Sequence, residues 1–424
     1  MLVRTVLHKL LGPVLLILFS TFLSGCSSHP GLLREREGER FGFRQRTIKG
    51  LTVRTLDELS SLTDDEIDIA TGALLASAEL EPSVDIEKYL RLLDSMAIEL
   101  GKELEGVVSP ELLAYKLREY IFFRRKFNPS SKEKEIVEAV EPCYIRLDKV
   151  LETKVGNCLG MSLLYLSLAE RLGVPLSMVT LPPYSDREKA HAFVRYVGKS
   201  RVLNIETAFD GLVVPDSFYH ERFRNAISMR AQSFQTPLSK KQVIAVILHC
   251  FGTYYSEEDD KTAMALLKKS LSFWPDDVTA LSELGSAQLR TGRNEEGLAN
   301  LRRALEISPR DVLPSLILFG YYGTRGECDK VVEIGRRFLS FHPRHPSADS
   351  IQLALYFTAA DPTSGSKYTF TSVEECEAAL KFVREYPDKH RQRSSEEDAI
   401  LERLPKLLEQ RKKELLEGRE KDNR

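Results

Sequence analysis

The stretch KVGNCLGMSLLYLSLAERLGVP, residues 154–175, decides the fold of this chain. Residues 159–172 are apolar on nearly every face, and Gly173 followed by Pro175 ends the run, which predicts a buried helix. Cys158 lies at the N-terminal end of that helix, where unpaired backbone N–H groups and the helix dipole stabilise a thiolate. We therefore interpret Cys158 as a candidate nucleophile, the alternative being a small buried helix residue, and expect Gly160 to keep the surface beside the sulfur small.

Three β-rich segments follow, at residues 176–181, 191–197 and 201–208. Gly198 and Lys199 are typical of a tight hairpin turn. With a two-residue loop, Val197 faces Ser200, and His191 lies directly opposite Glu206, within reach of a hydrogen bond across the strands. A three-residue loop would shift the register by one and move Glu206 to the other face of the sheet.

These residue types together favour nucleophilic acyl transfer. A cysteine at a helix end is the nucleophile, His191 is the base, and Glu206 orients the base; Asn204 is a weaker candidate for the orienting role. The backbone N–H of Cys158 is the natural donor to a developing oxyanion, and the side chain of Asn157 is a second candidate.

The residues that carry a family resemblance are Lys154 to Gly160, Arg171 to Pro175, His191 to Arg195 and Asn204 to Glu206. They resemble the transglutaminase-like superfamily of papain-type folds, in its bacterial branch with an N-terminal helical segment and C-terminal tetratricopeptide repeats. The resemblance covers about residues 63–211. It implies a triad of Cys158, His191 and Glu206, with Glu206 where the family usually has Asp, and a reaction on amide bonds. Superfamily members include peptidases, other amidases, transamidases and non-catalytic relatives.

A 34-residue period dominates the C-terminal half, where Pro275, Pro309 and Pro343 recur together with Leu271, Leu305 and Leu339. This period is the signature of tetratricopeptide repeats, whose stacked helix hairpins form a solenoid with a concave groove. We assign residues 238–390 to the repeats and residues 391–424 to a capping helix, interrupted by Pro405, with a polar tail. The groove is expected to bind a peptide or protein partner, the alternative being a structural buttress.

The first residues have the pattern of a targeting segment. Arg4 and Lys9 precede an apolar run at residues 10–22, and Leu23-Ser24-Gly25-Cys26 follows, which resembles a bacterial lipoprotein signal. The run is shorter than the ~20 residues of a membrane span. We predict a signal peptide at 1–25, acylation of Cys26, a flexible tether at 26–58, and a bacterial envelope protein held at the membrane, periplasmic where the source has an outer membrane. The helical segment plus the catalytic domain then occupies 59–237.

The composition narrows the function further. With 60 Lys+Arg against 62 Asp+Glu, a nucleic-acid binder is not expected. No cysteine spacing is typical of a metal site, so neither metal nor cofactor is predicted, and the five cysteines after Cys26 leave at least one thiol unpaired. The predicted fold is an α+β papain/transglutaminase-like domain with an N-terminal helical segment, followed by an all-α solenoid. Two functions stay open: a tethered cysteine enzyme acting on amide bonds, and a non-catalytic interaction scaffold.

Overall fold

The computed structural model describes residues 41–129, 141–183, 190–198, 201–229, 236–256 and 258–422. The predicted signal peptide, Cys26 and the first part of the tether lie outside these residues. The rest of the predicted tether contacts the folded chain: Phe41 is buried, and the backbone N–H groups of Gly42 and Arg44 donate to the carbonyls of Leu172 and Arg171. Ordered structure therefore begins earlier than the apolar pattern predicted, because main-chain pairing holds a segment whose side chains are mostly polar.

The N-terminal layer consists of α1 (Leu56–Ser60), α2 (Ile69–Leu80), α3 (Ile86–Glu103) and α4 (Pro110–Arg118), which continues as a π-helix over Glu119–Arg124. Each of these four α-helices begins after a side chain that accepts a hydrogen bond from the first turn; the four N-cap residues are Thr55, Asp68, Asp85 and Ser109. Pro110 occupies the first turn of α4, where its missing N–H costs nothing.

Two short helices lead into the central helix: α5 (Pro142–Ile145) and α6 (Leu147–Thr153) precede α7 (Cys158–Leu172). A two-residue parallel ladder joins β1 (Asn128–Pro129) to β2 (Val155–Gly156), directly before α7. Nearly every residue of α7 is buried, as its apolar sequence predicted. Gly173 ends the helix at φ 67°, a left-handed conformation that glycine adopts without strain.

One four-stranded antiparallel sheet follows, in the order β3 (Leu176–Leu181), β4 (His191–Val197), β5 (Val202–Glu206) and β6 (Leu212–Val214). The inner face, with Met178, Val194 and Ile205, packs in the same core as α7. The outer face is covered by α8 (Asp216–Arg222) and α9 (Arg224–Met229), so that Phe193 shares a second core with Tyr219. The sheet is therefore buried between α7 on one side and α8 and α9 on the other.

The C-terminal part is entirely helical in the described residues. Its helices are α10 (Lys240–Tyr255), α11 (Asp260–Phe273), α12 (Val278–Arg290), α13 (Asn294–Ile307), α14 (Val312–Thr324), α15 (Cys328–Phe341), α16 (Ala348–Ala360), α17 (Val373–Lys389) and α18 (Ser395–Asp422). Helices α11, α13 and α15 start at residues 260, 294 and 328, so successive starts lie 34 residues apart.

Two glycines explain how closely the helices of one hairpin cross. A Cβ atom on Gly285 of α12 would lie 2.9 Å from the carbonyl oxygen of Gly297, and one on Gly297 of α13 would lie 2.8 Å from that of Gly285. Both distances are too short for a side chain, so glycine permits the direct backbone contact.

The expected interruption at Pro405 is wrong, because α18 runs through it. Leu404 and Leu408, both fully buried, hold the helix on either side of the proline in a core shared with α16 and α17. Proline removes one hydrogen bond from a helix, and the packing of that apolar face compensates here.

The main hydrophobic core extends across residue 238, since it contains α2, α3 and α7 together with Val243, Ile244 and Phe251 of α10. Lys240, at the start of α10, also forms an ion pair of 2.6 Å with Glu170 of α7. In the described residues no helix is both long and apolar enough to cross a membrane.

Candidate active site

Cys158 is the first residue of α7, and its position depends on the turn before it. The side-chain oxygen of Asn157 accepts a hydrogen bond of 2.9 Å from the N–H of Gly160, which makes Asn157 the N-cap. The N–H of Asn157 in turn donates to the carbonyl of Tyr144, at 3.0 Å. At the first helical position the N–H of Cys158 has no carbonyl partner within the helix.

The structure explains the glycine at position 160 by a backbone contact and not by the space beside the sulfur. A Cβ atom there would lie far inside van der Waals contact with the carbonyl oxygen of Tyr144 and close to a methyl group of Val150. The glycine therefore allows α7 to start against the backbone of α5. It fixes the position of Cys158 rather than keeping the surface of the sulfur open.

His191 begins β4, with its side chain 12% exposed. Its Nε2 lies 2.7 Å from Oε2 of Glu206, and its ring interacts electrostatically with the side chain of Cys158. Because Glu206 occupies Nε2, Nδ1 is the ring nitrogen left to exchange a proton with Cys158. Phe223 lies parallel to the imidazole, with ring centroids 5.2 Å apart and an interplanar angle of 11°. The structure thus brings the three predicted residues together in the order sulfur, imidazole, carboxylate.

The predicted hairpin register is wrong by two residues. Val197 pairs with Val202 rather than with Ser200, and the N–H of Gly198 bonds to the carbonyl of Arg201, so the connection has four residues instead of two. Continued to the strand end, this register places Glu206 opposite Phe193 and not opposite His191. A shift of two keeps Glu206 on the predicted face, because side chains alternate with a period of two. The longer side chain of glutamate then spans the diagonal to the imidazole.

Three donors hold the carboxylate of Glu206, which is fully buried. His191 and the hydroxyl of Tyr219 both donate to Oε2, the latter at 3.1 Å, and the N–H of Ala208 donates to Oε1 at 3.0 Å. Sequence reasoning missed Tyr219. The sequence offers one weak signal for it: Tyr219 follows Asp216 by three residues, so in a helix after the sheet the two side chains lie on the same face.

Thr207 joins the end of β5 to the start of α7. Its hydroxyl donates to the carbonyl of Cys158 at 3.2 Å and lies 2.9 Å from the hydroxyl of Ser162 on the next turn. The two elements that carry the nucleophile and the acid are therefore linked by a direct contact.

The electrostatics of the site favour a protonated imidazole. Burial of His191 opposes its positive charge, but hydrogen bonds to Cys158 and Glu206, and the negative charges of both, outweigh burial and raise the pKa of His191 to about 10. The group is therefore an imidazolium at neutral pH, flanked by two acids. Burial and the neighbouring Glu206 also raise the pKa of Tyr219, so its hydroxyl keeps its proton and remains a donor.

Asn204 does not orient the imidazole. Its side-chain oxygen accepts from Nε of Arg195 at 2.7 Å, and its amide nitrogen donates to Asp216 at 2.7 Å. Asn204 therefore anchors the start of α8 instead of touching His191. The side-chain oxygen of Asn157 caps α7 by accepting from the N–H of Gly160.

The described residues also bear on the predictions about disulfides and metal sites. Cys143, Cys158, Cys250, Cys328 and Cys376 are all unpaired. Across the part of the chain that the structure describes, no group of three or more His, Cys, Asp or Glu residues is placed to hold a metal ion. The predicted rim over the cleft, residues 184–189, lies outside the described residues.

Residues 87–249 match the sequence model of the transglutaminase-like superfamily. This part of the chain is a transglutaminase-like domain. The match includes Cys158, His191 and Glu206, and it suggests the fold of cysteine-type acyl-transfer enzymes and peptidases. The family resemblance predicted from the sequence is confirmed at this level, and a largely helical C-terminal region accompanies the transglutaminase-like domain.

Curated relatives include two proteins named UPF0162 protein from Xylella fastidiosa, strains Temecula1 / ATCC 700964 and 9a5c. They are 23% and 22% identical to this chain over 270 residues, which covers 62% of this chain and 92% of each relative. Among solved structures, the crystal structure of menin, described as revealing the binding site for Mixed Lineage Leukemia (MLL) protein, aligns with 82% of this chain and 95% of its own at 11% identity. Its TM-score of 0.32 does not indicate a shared fold.

Proposed function

We propose that this protein is a cysteine enzyme that acts on amide bonds, as a peptidase, amidase or transamidase. The observation that supports the proposal most directly is the imidazole of His191, which bonds Glu206 through Nε2 at 2.7 Å and interacts electrostatically with Cys158 at the N-terminus of α7. The imidazole therefore stands between a candidate orienting acid and a candidate nucleophile at the positive end of a helix.

The proposed reaction follows from the arrangement of Cys158, His191 and Glu206. The sulfur of Cys158 attacks the amide carbonyl carbon while the thiol proton resides on His191, and the backbone N–H of Cys158 donates to the oxyanion. His191 then gives its proton to the leaving nitrogen, the C–N bond breaks, and a thioester forms on Cys158. Water or an amine attacks the thioester and passes a proton to His191, which returns it to the sulfur as the acyl group leaves. Glu206 keeps the ring oriented and stabilises the imidazolium.

The test is the alkylation rate of Cys158 by iodoacetamide in the full-length chain, followed by mass spectrometry. Cys143 is the internal control, because it is more exposed than Cys158, while burial and its hydrogen bond to Glu141 raise its pKa to about 11. If His191 activates Cys158, Cys158 reacts faster than Cys143 near pH 7, and His191→Gln slows Cys158 while the rate of Cys143 stays unchanged. Faster reaction of Cys143 in the unaltered protein, or no effect of His191→Gln, would show that exposure alone sets the rates and would overturn the proposal.

We also propose that Cys26 is acylated and holds the protein at a bacterial envelope membrane, with the domain on the periplasmic side where an outer membrane exists. The supporting features are the basic start, the apolar run and the Leu23-Ser24-Gly25-Cys26 sequence. Mass spectrometry of the mature N-terminus tests this. An acylated Cys26 as first residue, lost in Cys26→Ala, supports it, whereas an unprocessed Met1 or a different cleavage site refutes it.

The helices from residue 240 onward are proposed to be tetratricopeptide repeats that bind a peptide or protein partner. Helix starts 34 residues apart support the assignment, as does the close crossing at Gly285 and Gly297. Gly320 of α14 has no atom near its Cβ position, so a photo-crosslinking amino acid placed there samples an open surface. Crosslinks from that position to one defined protein, absent from position 418 on the open surface of α18, are the expected result.

The same helices support a second candidate function, a scaffold in which the transglutaminase-like domain is not catalytic. The two functions make opposite predictions for Cys158→Ala. Loss of the biological role in this variant, with normal stability, supports the enzyme, and an unchanged role supports the scaffold.

A further inference from the structure

The acid of the candidate triad has a second side-chain partner. The hydroxyl of Tyr219 donates to Oε2 of Glu206 at 3.1 Å, and this is the same oxygen that accepts from Nε2 of His191. Two donors on one carboxylate oxygen, with the N–H of Ala208 on the other, fix both the rotation and the position of the carboxylate.

Tyr219 is itself held rigidly. Its side chain is fully buried, and its ring lies against that of Phe193 with centroids 4.0 Å apart and an interplanar angle of 18°. The start of α8 is anchored one turn earlier, where Asp216 accepts a hydrogen bond from Asn204 at 2.7 Å and lies 3.5 Å from Arg195. Helix α8 thus contacts the sheet at Asp216 and at Tyr219, and these two contacts place the hydroxyl of Tyr219 beside Glu206.

We infer that Tyr219 is a positioning residue of the site: it holds the Glu206 carboxylate in the orientation that stabilises the imidazolium form of His191 beside the Cys158 thiolate. This inference rests on the proposed cysteine-enzyme function and adds a fourth residue to it. The hydroxyl of Tyr219 acts through Glu206, and its ring lies beside that of His191 with centroids 6.2 Å apart, so Tyr219 positions the triad rather than reacting.

The pH dependence of alkylation separates positioning from packing. An imidazolium beside the sulfur favours attack by Cys158 as long as His191 is protonated, so weakening the hold of Glu206 on the ring slows alkylation. His191 loses its proton at a pH near its pKa of about 10, and above that pH the loss disappears. A defect that came from loosened packing would instead reduce the rate by a similar factor at every pH.

The experiment compares Tyr219→Phe with the full-length protein from pH 5 to pH 10.5. The variant removes only the hydroxyl and keeps the ring stacked on Phe193. The matched control is Tyr386→Phe, which removes another buried tyrosine hydroxyl whose hydrogen bond, 2.5 Å to Glu397, lies among the repeats. We expect Tyr219→Phe to slow Cys158 alkylation about three- to tenfold below pH 8, the size of effect that loss of one ordinary hydrogen bond gives, and to converge with the unaltered protein near pH 10.

His191→Gln, measured alongside, separates failure of this inference from failure of the proposed function. If His191→Gln slows alkylation and Tyr219→Phe behaves like Tyr386→Phe at every pH, the triad stands and the role of Tyr219 is refuted. A uniform, pH-independent loss in Tyr219→Phe refutes it as well. If His191→Gln has no effect, the proposed function falls and the inference falls with it. As a readout that needs no reactivity, the ring N–H signal of His191 in NMR spectra should move in Tyr219→Phe and stay in place in Tyr386→Phe.

Discussion

Shortening Glu206 by one methylene group tests whether its length is what completes the site. Glu206→Asp withdraws the carboxylate by about 1.5 Å, one C–C bond. The separation of 2.7 Å from His191 Nε2 then grows to about 4.2 Å, beyond the range of a hydrogen bond. The bonds from Tyr219 and Ala208 lengthen in the same way. A fully buried carboxylate is left without its three donors, beside an imidazolium without its acceptor.

Breaking a buried charged pair of this kind costs about 3 to 5 kcal/mol. We therefore expect urea unfolding at pH 7 to show a loss of that order for Glu206→Asp, together with at least tenfold slower alkylation of Cys158. Glu206→Gln keeps the length and an acceptor oxygen, so it should lose less stability than Glu206→Asp although it removes the charge. If Glu206→Asp unfolds within about 1 kcal/mol of the unaltered protein and keeps its alkylation rate, side-chain length is not what places the acid, and the diagonal geometry described here is wrong.

Three further predictions concern packing and charge. Gly160→Ala should lower the free energy of unfolding by about 1 to 3 kcal/mol, because the new methyl group meets the carbonyl of Tyr144, whereas Gly418→Ala on open helix surface should be neutral or stabilising; urea unfolding measures both. The stability advantage of the unaltered protein over His191→Gln should be full below pH 6.5 and should disappear as pH rises toward 10, since a raised pKa stabilises only the protonated form; unfolding at pH 6, 8 and 10 checks the direction. Asp68→Asn should cost about 3 to 5 kcal/mol in urea unfolding at pH 7, because Arg171, 2% exposed, loses a buried counter-charge; an effect under 1 kcal/mol would contradict this.

The helix that begins at Cys158 could be predicted from the sequence, because a continuous apolar run that ends at a glycine has few other interpretations. The sequence also predicted which face of the sheet carries Glu206, but not which residue lies opposite it. The length of the loop cannot be determined from Gly198 and Lys199, and a four-residue turn shifts the pairing by two. Had the shift been one, Glu206 would have pointed away from His191.

Tyr219 could not be predicted because nothing in its neighbourhood shows where α8 lies over the sheet. That placement is set by the contact of Asp216 with Asn204, two side chains 12 positions apart in the sequence. Asn204 was singled out for the wrong reason, since it contacts α8 and not the imidazole. Gly160 was likewise noticed, but its cause, the carbonyl of Tyr144, becomes visible only once the chain has folded back.

The shared core of α2, α7 and α10 bears on how the protein can be divided in the laboratory. Val243, Ile244 and Phe251 have at most 1% of their surface exposed, and the side chain of Ile244 fills the space directly above Gly72. A fragment ending near residue 237 would present this apolar surface to water and lose the Lys240 partner of Glu170. The chain therefore does not divide into two independent pieces near residue 238: joining this domain to the helices of another protein would need α10 to be kept as part of the domain.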